Sequence, residues 1–524
     1  MRWSTGCRGQ SPGAAVTPPS GHTCCWCGRC PCCSAFTSSK AIGTEPMATR
    51  NYPRLWALWI ASTLLGIVIL AKVLANGEDK RLFMPGPLSH GHHQIALACN
   101  ACHVDAFGGG EVMEGACEHC HGEQREKPLD SHPKAKFRDP RNADRLTALN
   151  VLRCVTCHVE HQPELLKGAG YTQPVDFCFH CHQDIGDNRP THAGLGFETC
   201  NNAGCHNFHH NRALYEDWLL RHQDEPDLLP VAERGLPARD FADVLDQLMD
   251  YPRKAYPPQP LALADADAPP AARGDAIDRD WLETSHAAAG VNCSACHQPT
   301  DAAGAPGAWI DRPDHSACAG CHGAEVDGFT RGLHGMRLAA AVGEAAKHPL
   351  APMTPADARL PMRPDAPHAA LTCTSCHGAH RFDTASASVD ACLGCHADEH
   401  SLAYVGSPHH RLWQQEQAGE RPAGSGVSCA GCHMPRVDFE ANDWLERILV
   451  QHNQSATLRP NEKMIRPVCQ HCHGLGFSID ALADPALIAN NFRGRPSVHI
   501  ESIDMAKANE ARAQAELQAE LEAN

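Results

Sequence analysis

Ten times this chain sets two cysteines three positions apart and follows the second at once with a histidine. The groups are Cys99, Cys102 and His103; Cys117, Cys120 and His121; Cys154, Cys157 and His158; Cys178, Cys181 and His182; Cys293, Cys296 and His297; Cys318, Cys321 and His322; Cys373, Cys376 and His377; Cys392, Cys395 and His396; Cys429, Cys432 and His433; and Cys469, Cys472 and His473. An eleventh group, Cys200, Cys205 and His206, has four residues between its cysteines. Such a thiol pair can add to the two vinyl groups of a porphyrin, and the adjoining imidazole is then held against the iron. This is the attachment signature of haem c. Structural zinc and thioredoxin-like dithiols also use paired cysteines, but neither needs histidine after the second cysteine every time. Histidine is 35 of 524 residues, so its presence at all eleven places is not chance. The motifs therefore predict about eleven covalent haems c, each taking one axial ligand from its motif histidine.

What fills the other axial position separates an electron carrier from a catalyst. Setting the eleven motif histidines aside leaves 24. His161, His209 and His380 lie three residues beyond a motif histidine, and His132, His192, His334 and His409 follow one at ten to thirteen residues. His92, His286 and His368 precede a motif by five to seven residues, and His452 stands between the last two motifs. These are the candidate distal ligands, as many as the irons. His90, His93, His210, His315, His400 and His410 are their rivals, while His119, His180 and His471 sit inside motifs and are pinned against their own haem's edge. Spacing does not say which imidazole serves which iron.

The elements that must position these groups are sparse. Of 29 cysteines, the seven outside the motifs all precede residue 34, so no disulfide framework is expected in the body of the chain. Residues 1–46 have a foreign composition and read as an upstream extension, with translation expected to begin at Met47. Residues 47–76 read as a signal-anchor or signal peptide: Arg50 and Arg54 precede an apolar run, Leu55 to Leu74, long enough to span a bilayer. Val73-Leu74-Ala75 also resembles a signal peptidase site, which would release a soluble periplasmic form. The motifs then fall into a pentahaem domain with trailing helices over 77–251 and a hexahaem domain over 281–503, joined by a Pro/Ala/Asp linker over 252–280. Apolar spacing predicts helices over 212–220 and 238–249, and composition predicts a solvated C-terminal helix within 504–524. The fold class is mostly α and irregular, with two haem-filled cores behind one N-terminal transmembrane helix. The spacers are too short and too broken by Gly and Pro for a protein-only core, so folding should require haem. The net charge of −16 argues against nucleic acid.

The first cluster resembles the multihaem class III cytochromes c in its short spacers, abundant histidine and one four-residue spacing at Cys200. The string Cys429-Ala-Gly-Cys432-His433-Met434-Pro435, with His452 downstream, resembles the last part of the ammonia-forming cytochrome c nitrite reductases. Those enzymes bind their catalytic haem through Cys-x-x-Cys-Lys, which this chain lacks. Hydroxylamine-oxidising octahaem proteins are similar in style, but none of the six tyrosines here has the context of their tyrosine-linked haem. The resemblances imply an exported electron carrier on the periplasmic side of the inner membrane, anchored by the N-terminal helix. Its partners would be redox proteins: a quinol-linked donor and a periplasmic or outer acceptor. The alternative is a multihaem oxidoreductase acting on nitrite, hydroxylamine or tetrathionate at one iron that lacks a distal histidine.

Haemochrome quantitation against protein mass is expected to give eleven haems, and Cys205→Ser to remove one of them. Ten in the unaltered protein would indict the Cys200 site.

Overall fold

A computed structural model describes residues 53–76, 84–104, 110–122, 132–167, 170–200, 205, 208–209, 216–230, 259–300, 304–346, 350–366, 370–442, 445–458 and 461–523. The expected helix over 238–249, together with His206, His210 and His368, lies outside these residues. The chain divides into two units, Met1–Asn76 and Gly77–Asn524. In the first, helix α1 (Pro53–Asn76) contains a stretch, Pro53–Lys72, apolar and long enough to cross a membrane. At about 1.5 Å per residue its 24 residues reach about 36 Å.

The second unit is a string of short helices and turns, mostly helical where it is regular, in line with the mostly α and irregular fold class the sequence predicts. Most motifs make one helical turn: Cys154–Cys157, Cys293–His297, Cys373–His377 and Cys429–His433 are helices of four or five residues. In a helix, positions i, i+3 and i+4 share a face, so one turn presents both thiols and the imidazole on the same side. The turn is closed by i→i−4 bonds, such as His158 N–H to Cys154 O (2.9 Å) and His322 N–H to Cys318 O (2.8 Å). Side chains finish the open ends: Ser428 Oγ accepts from Gly431 N–H, and Asn292 Oδ1 from Cys293 N–H.

Two clusters of apolar side chains pack without help from a cofactor among the described residues. One, in the first half, joins Phe137, Leu149, Val151 and Phe177, with Phe208 and Tyr171 at its edge. Beside it in the chain, the buried Glu114 of helix α2 (Gly110–His121) accepts from Cys154 N–H and so ties α2 to the third motif. The other cluster is built from Leu219 of helix α3 (Glu216–Arg221), Met464, Ile465, and Leu475, Ile479 and Leu482, closed by Ile503 and Ala506. α3 overlaps the helix expected at 212–220 and ends one residue beyond it, and the chain after it packs on the far end of the sequence. Leu229 N–H donates to Cys472 O (2.8 Å), and Glu225 Oε2 accepts from Leu475 N–H (2.9 Å).

The described part of the Pro/Ala/Asp stretch, 259–280, is packed around the Cys293 motif. Asp267 accepts from Ser294 N–H (2.9 Å), Ala287 O accepts from Leu261 N–H (2.9 Å), and Asn292 Nδ2 donates to Asp265 O (2.6 Å). The first cluster also touches the second through the segment just ahead of its first motif. Gln94 Nε2 donates to Leu333 O, Arg359 to Leu88 O (3.1 Å), and His93 Nε2 meets Asp357 O (3.0 Å).

Two elements were not expected from the sequence. Helix α4 (Gly323–Arg331) ends in glycines over which residues 451–454 pass closely: a Cβ at Gly332 would meet Asn453 Cα and His452 O at 3.2 Å. The chain reaches that place by an antiparallel hairpin, β1 (Arg436–Asn442) with β2 (Leu445–Val450), in the register Arg436↔Val450 and Val437↔Leu449. Helix α5 (Leu475–Ala483) then leads to helix α6 (Ser502–Ala523), whose first turns are buried at Ile503 and Ala506 while Leu517 and Leu521 are exposed.

The start of α6 is held by a cationic clamp. His499 bonds Asp480 of α5 through Nδ1 (3.0 Å) and Asp504 of α6 through Nε2 (2.8 Å). These bonds, Asp480's the larger, lift His499 to about 9. A raised folded-state pKa gives stability that is complete below the unfolded value, about 6.5, and lost as pH rises through about 9. The side chain is 63% exposed, so the contribution is small. Amide exchange at residues 502–507 is expected to quicken, beyond its intrinsic pH dependence, between pH 6.5 and 9.5, and His499→Ala to abolish that excess.

Candidate haem sites

All ten described motif histidines face another imidazole, and in each case it belongs to a histidine outside the motifs. In the first cluster His103 faces His161 with ring centres 6.4 Å apart, His121 faces His92 (5.8 Å), His158 faces His209 (6.1 Å) and His182 faces His132 (6.1 Å). In the second, His297 faces His380 (5.8 Å), His322 His286 (6.0 Å), His377 His452 (6.2 Å), His396 His334 (6.2 Å), His433 His400 (5.9 Å) and His473 His409 (6.2 Å).

This spacing is chemically specific. Two imidazoles on one iron, with metal–nitrogen bonds of about 2 Å and about 1.1 Å from each nitrogen to its ring centre, put those centres about 6 Å apart. Stacked or hydrogen-bonded imidazoles have no reason to repeat that value ten times. The residues present thus fit one six-coordinate iron per pair. A thiolate-rich zinc site needs three or more Cys, His or acidic side chains to converge, and none do among the described residues.

Hydrogen bonds fix how the rings point. Nδ1 of His158, His297 and His473 meets the carbonyls of Gly170 (2.8 Å), Ile310 (2.7 Å) and Asp227 (2.8 Å). Nδ1 of His132, His161, His400 and His452 meets those of Phe208 (2.8 Å), Gly86 (3.0 Å), Ile488 (2.6 Å) and Val450 (2.8 Å). A carbonyl can only accept, so Nδ1 carries the proton and Nε2 offers its lone pair to a metal. Burial reinforces the neutral form, pushing His334, His409 and His433 down to about 4. His92 departs from this pattern: its Nδ1 meets the Glu160 carboxylate at 2.6 Å, which raises its pKa against the effect of burial.

Local backbone explains how a ring reaches a foreign motif. His161 and His380 each follow a motif histidine by three residues, and both have positive φ, 64° and 66°. Histidine tolerates the left-handed region better than most residues, and the reversal throws each imidazole away from its own motif and onto another. His161 is further seated by Gly86, where any Cβ would collide with the His161 carbonyl oxygen. Aromatic rings brace several pairs: Phe208 stacks on His132 (4.3 Å), Trp309 on His297 (4.9 Å) and Phe477 on His473 (4.7 Å).

Of the expected distal ligands, His92, His132, His161, His209, His286, His334, His380, His409 and His452 each face a motif histidine. The place opposite His433 is held by His400, which sequence reasoning treated as a rival, while His368 lies outside the described residues. His192 is described, with Thr191 Oγ1 at 2.9 Å from Nδ1, but His206 is not. The motifs also touch at their attachment edges. The leading cysteines of neighbouring motifs, all free thiols, lie close together in four pairs: Cys117 with Cys154, Cys178 with Cys200, Cys318 with Cys373, and Cys392 with Cys429.

Residues 91–183 match the family model of cytochrome c3. No curated protein and no solved structure matches the chain. The match supports a multihaem c-type cytochrome over residues 91–183, a family that implies covalently bound haem c and electron transfer.

If these imidazole pairs owe their placement to iron, the haem-free chain lacks its principal cross-links. Expressed in the cytoplasm without its leader, where haem is not attached, it is expected to give a disordered far-ultraviolet circular dichroism spectrum. It should also be digested rapidly by protease.

Proposed function

We propose that this chain is an exported, membrane-tethered electron-transfer protein whose path consists of eleven haems, each iron held between two histidines. The observation that carries the reading is the set of ten imidazole pairs at 5.8–6.4 Å. An iron with two imidazoles has no open position for substrate and keeps its ligands in both oxidation states, which suits fast one-electron exchange. Contacts between the leading cysteines of neighbouring motifs favour short steps between macrocycles. Helix α1 would tether the haem-bearing unit to the inner membrane on the periplasmic side. Its partners would be a quinol-linked donor and a periplasmic or outer acceptor.

The pairing pattern supports a more detailed organisation, in which five motifs form a module that occurs twice. In both clusters a histidine ahead of the first motif (His92, His286) faces the second motif's histidine, and one just past the third motif (His161, His380) faces the first. A histidine between the second and third motifs (His132, His334) faces the fourth, and one beyond the fifth (His209, His452) faces the third. His400, between the fourth and fifth motifs of the second module, faces the fifth. His192 holds the same place in the first module, which assigns it to the iron of Cys200, Cys205 and His206. The Cys469 motif, paired with His409, is appended to the second module.

EPR of the oxidised protein is expected to show only low-spin iron. His400→Ala and His192→Ala should each produce one high-spin iron, and His368→Ala none. A high-spin iron in the unaltered protein, with turnover of nitrite, hydroxylamine or tetrathionate, would replace this reading with the oxidoreductase one.

A further inference from the structure

In one of the described histidine pairs an imidazole is bonded to a carboxylate. His92 Nδ1 lies 2.6 Å from Glu160 Oε1 and 3.3 Å from Ser89 Oγ. Glu160 is itself fixed: Ser89 Oγ donates to its Oε1 (2.9 Å) and Ser89 N–H to its Oε2 (2.9 Å). The two side chains are 33% and 31% exposed, so the contact is largely removed from water. Glu160 belongs to the short turn between His158 and His161, two rings that face other partners, so the backbone has little freedom to withdraw it. The nearest comparable case is Asp398, whose carboxylate stands 3.6 Å from His396 Nδ1, beyond hydrogen-bond reach.

We propose that Glu160 sets the potential of one haem, holding the iron of the Cys117/Cys120/His121 site at a lower reduction potential than its neighbours. The proposal rests on the reading of His92 as that iron's distal ligand. A carboxylate accepting from Nδ1–H draws the proton toward itself and pushes electron density onto Nε2, giving the ring partial imidazolate character. A stronger donor stabilises ferric over ferrous iron, so the one-electron reduction becomes less favourable. A backbone carbonyl, the acceptor for His132, His161, His400 and His452, does the same only weakly because it has no net charge. At the corresponding position of the second module, His286 meets instead the edge of Phe382 at 4.7 Å. Glu160 is thus a positioning and tuning residue that acts through His92, and it distinguishes two otherwise similarly paired modules.

The test is a spectroelectrochemical titration, with EPR, of the full haem-loaded chain and its Glu160→Gln variant. Glu160→Gln keeps a hydrogen-bonding side chain but removes the charge. The expected result is an upward shift of the lowest-potential component, by one haem's share of the amplitude, with haem content and low-spin state unchanged. A titration curve that superimposes on the unaltered protein, with haem content retained, overturns the proposal. His92→Ala separates this from failure of the underlying reading: it should create one high-spin iron, and an all-low-spin spectrum would remove His92 as a ligand. If Glu160→Gln yields no loaded protein, Ser89→Ala serves instead. It removes a competing donor to Oε1, so the same component should move down, and an unmoved component overturns the proposal.

Discussion

The facing of two imidazoles across a gap the width of one iron is the constraint on which the rest of this chain depends. Each pair joins stretches that are distant in sequence, as His297 joins His380 and His377 joins His452. In the proposed reading every iron is therefore a cross-link as well as a redox centre, and its binding energy is also folding energy. Regular structure is reduced to what delivers a ring: one helical turn per motif, a left-handed turn at His161 and His380, and a hairpin that carries the chain to His452. Two modest apolar clusters supply the rest. Each buried imidazole must stay neutral and present Nε2, and backbone carbonyls on Nδ1 secure both conditions at once.

What was legible in the sequence follows from how local each signal is. The haem motifs are contiguous, so their chemistry can be read directly. So can the apolar helix at Pro53–Asn76 and the C-terminal helix, where composition decides the matter. Distal positions are a property of the fold. His400 lies four residues past His396 and ranked among the rivals, yet the close packing of 400–405 on Asn491 and Arg493 turns it toward His433. His368, expected as a ligand because it precedes a motif by five residues, lies outside the described residues. The hairpin was missed because the overall scarcity of alternating segments hid one short pair of strands. The glycines at 328 and 332 gave no sign that they form a floor for 451–454, since nothing in their own neighbourhood needs them.

Packing alters the meaning of the two clusters of motifs. Gly77–Asn524 is one compact unit, and the segment after the first cluster contributes Leu219, Glu225 and Asp227 to the region around the last motif. The stretch expected to be a loose linker is, where described, bonded to the Cys293 motif by Asp265 and Asp267. Sequence spacing separates the clusters by the absence of motifs between them, but an absence of motifs is not an absence of contacts.

The pairing scheme carries one further implication. The spacers of the two modules differ in length, and the second holds a hairpin between its fifth motif and His452, yet the same ordinal histidine faces the same ordinal motif in four cases. In the proposed reading spacer length is therefore free so long as each ring arrives opposite its partner, because metal–ligand bond lengths, and not the loop, would set the ring spacing. A scheme constrained in this way would give similar irons in both modules, which would still pass electrons from a low-potential donor to a higher-potential acceptor. Any staging of potentials along the way has to come from groups outside the ligand set, where the modules are free to differ. The carboxylate on His92, set against the phenyl edge on His286, is such a difference at corresponding positions. Variation in potential can thus enter through the partners of Nδ1 while the pairing of the rings stays fixed.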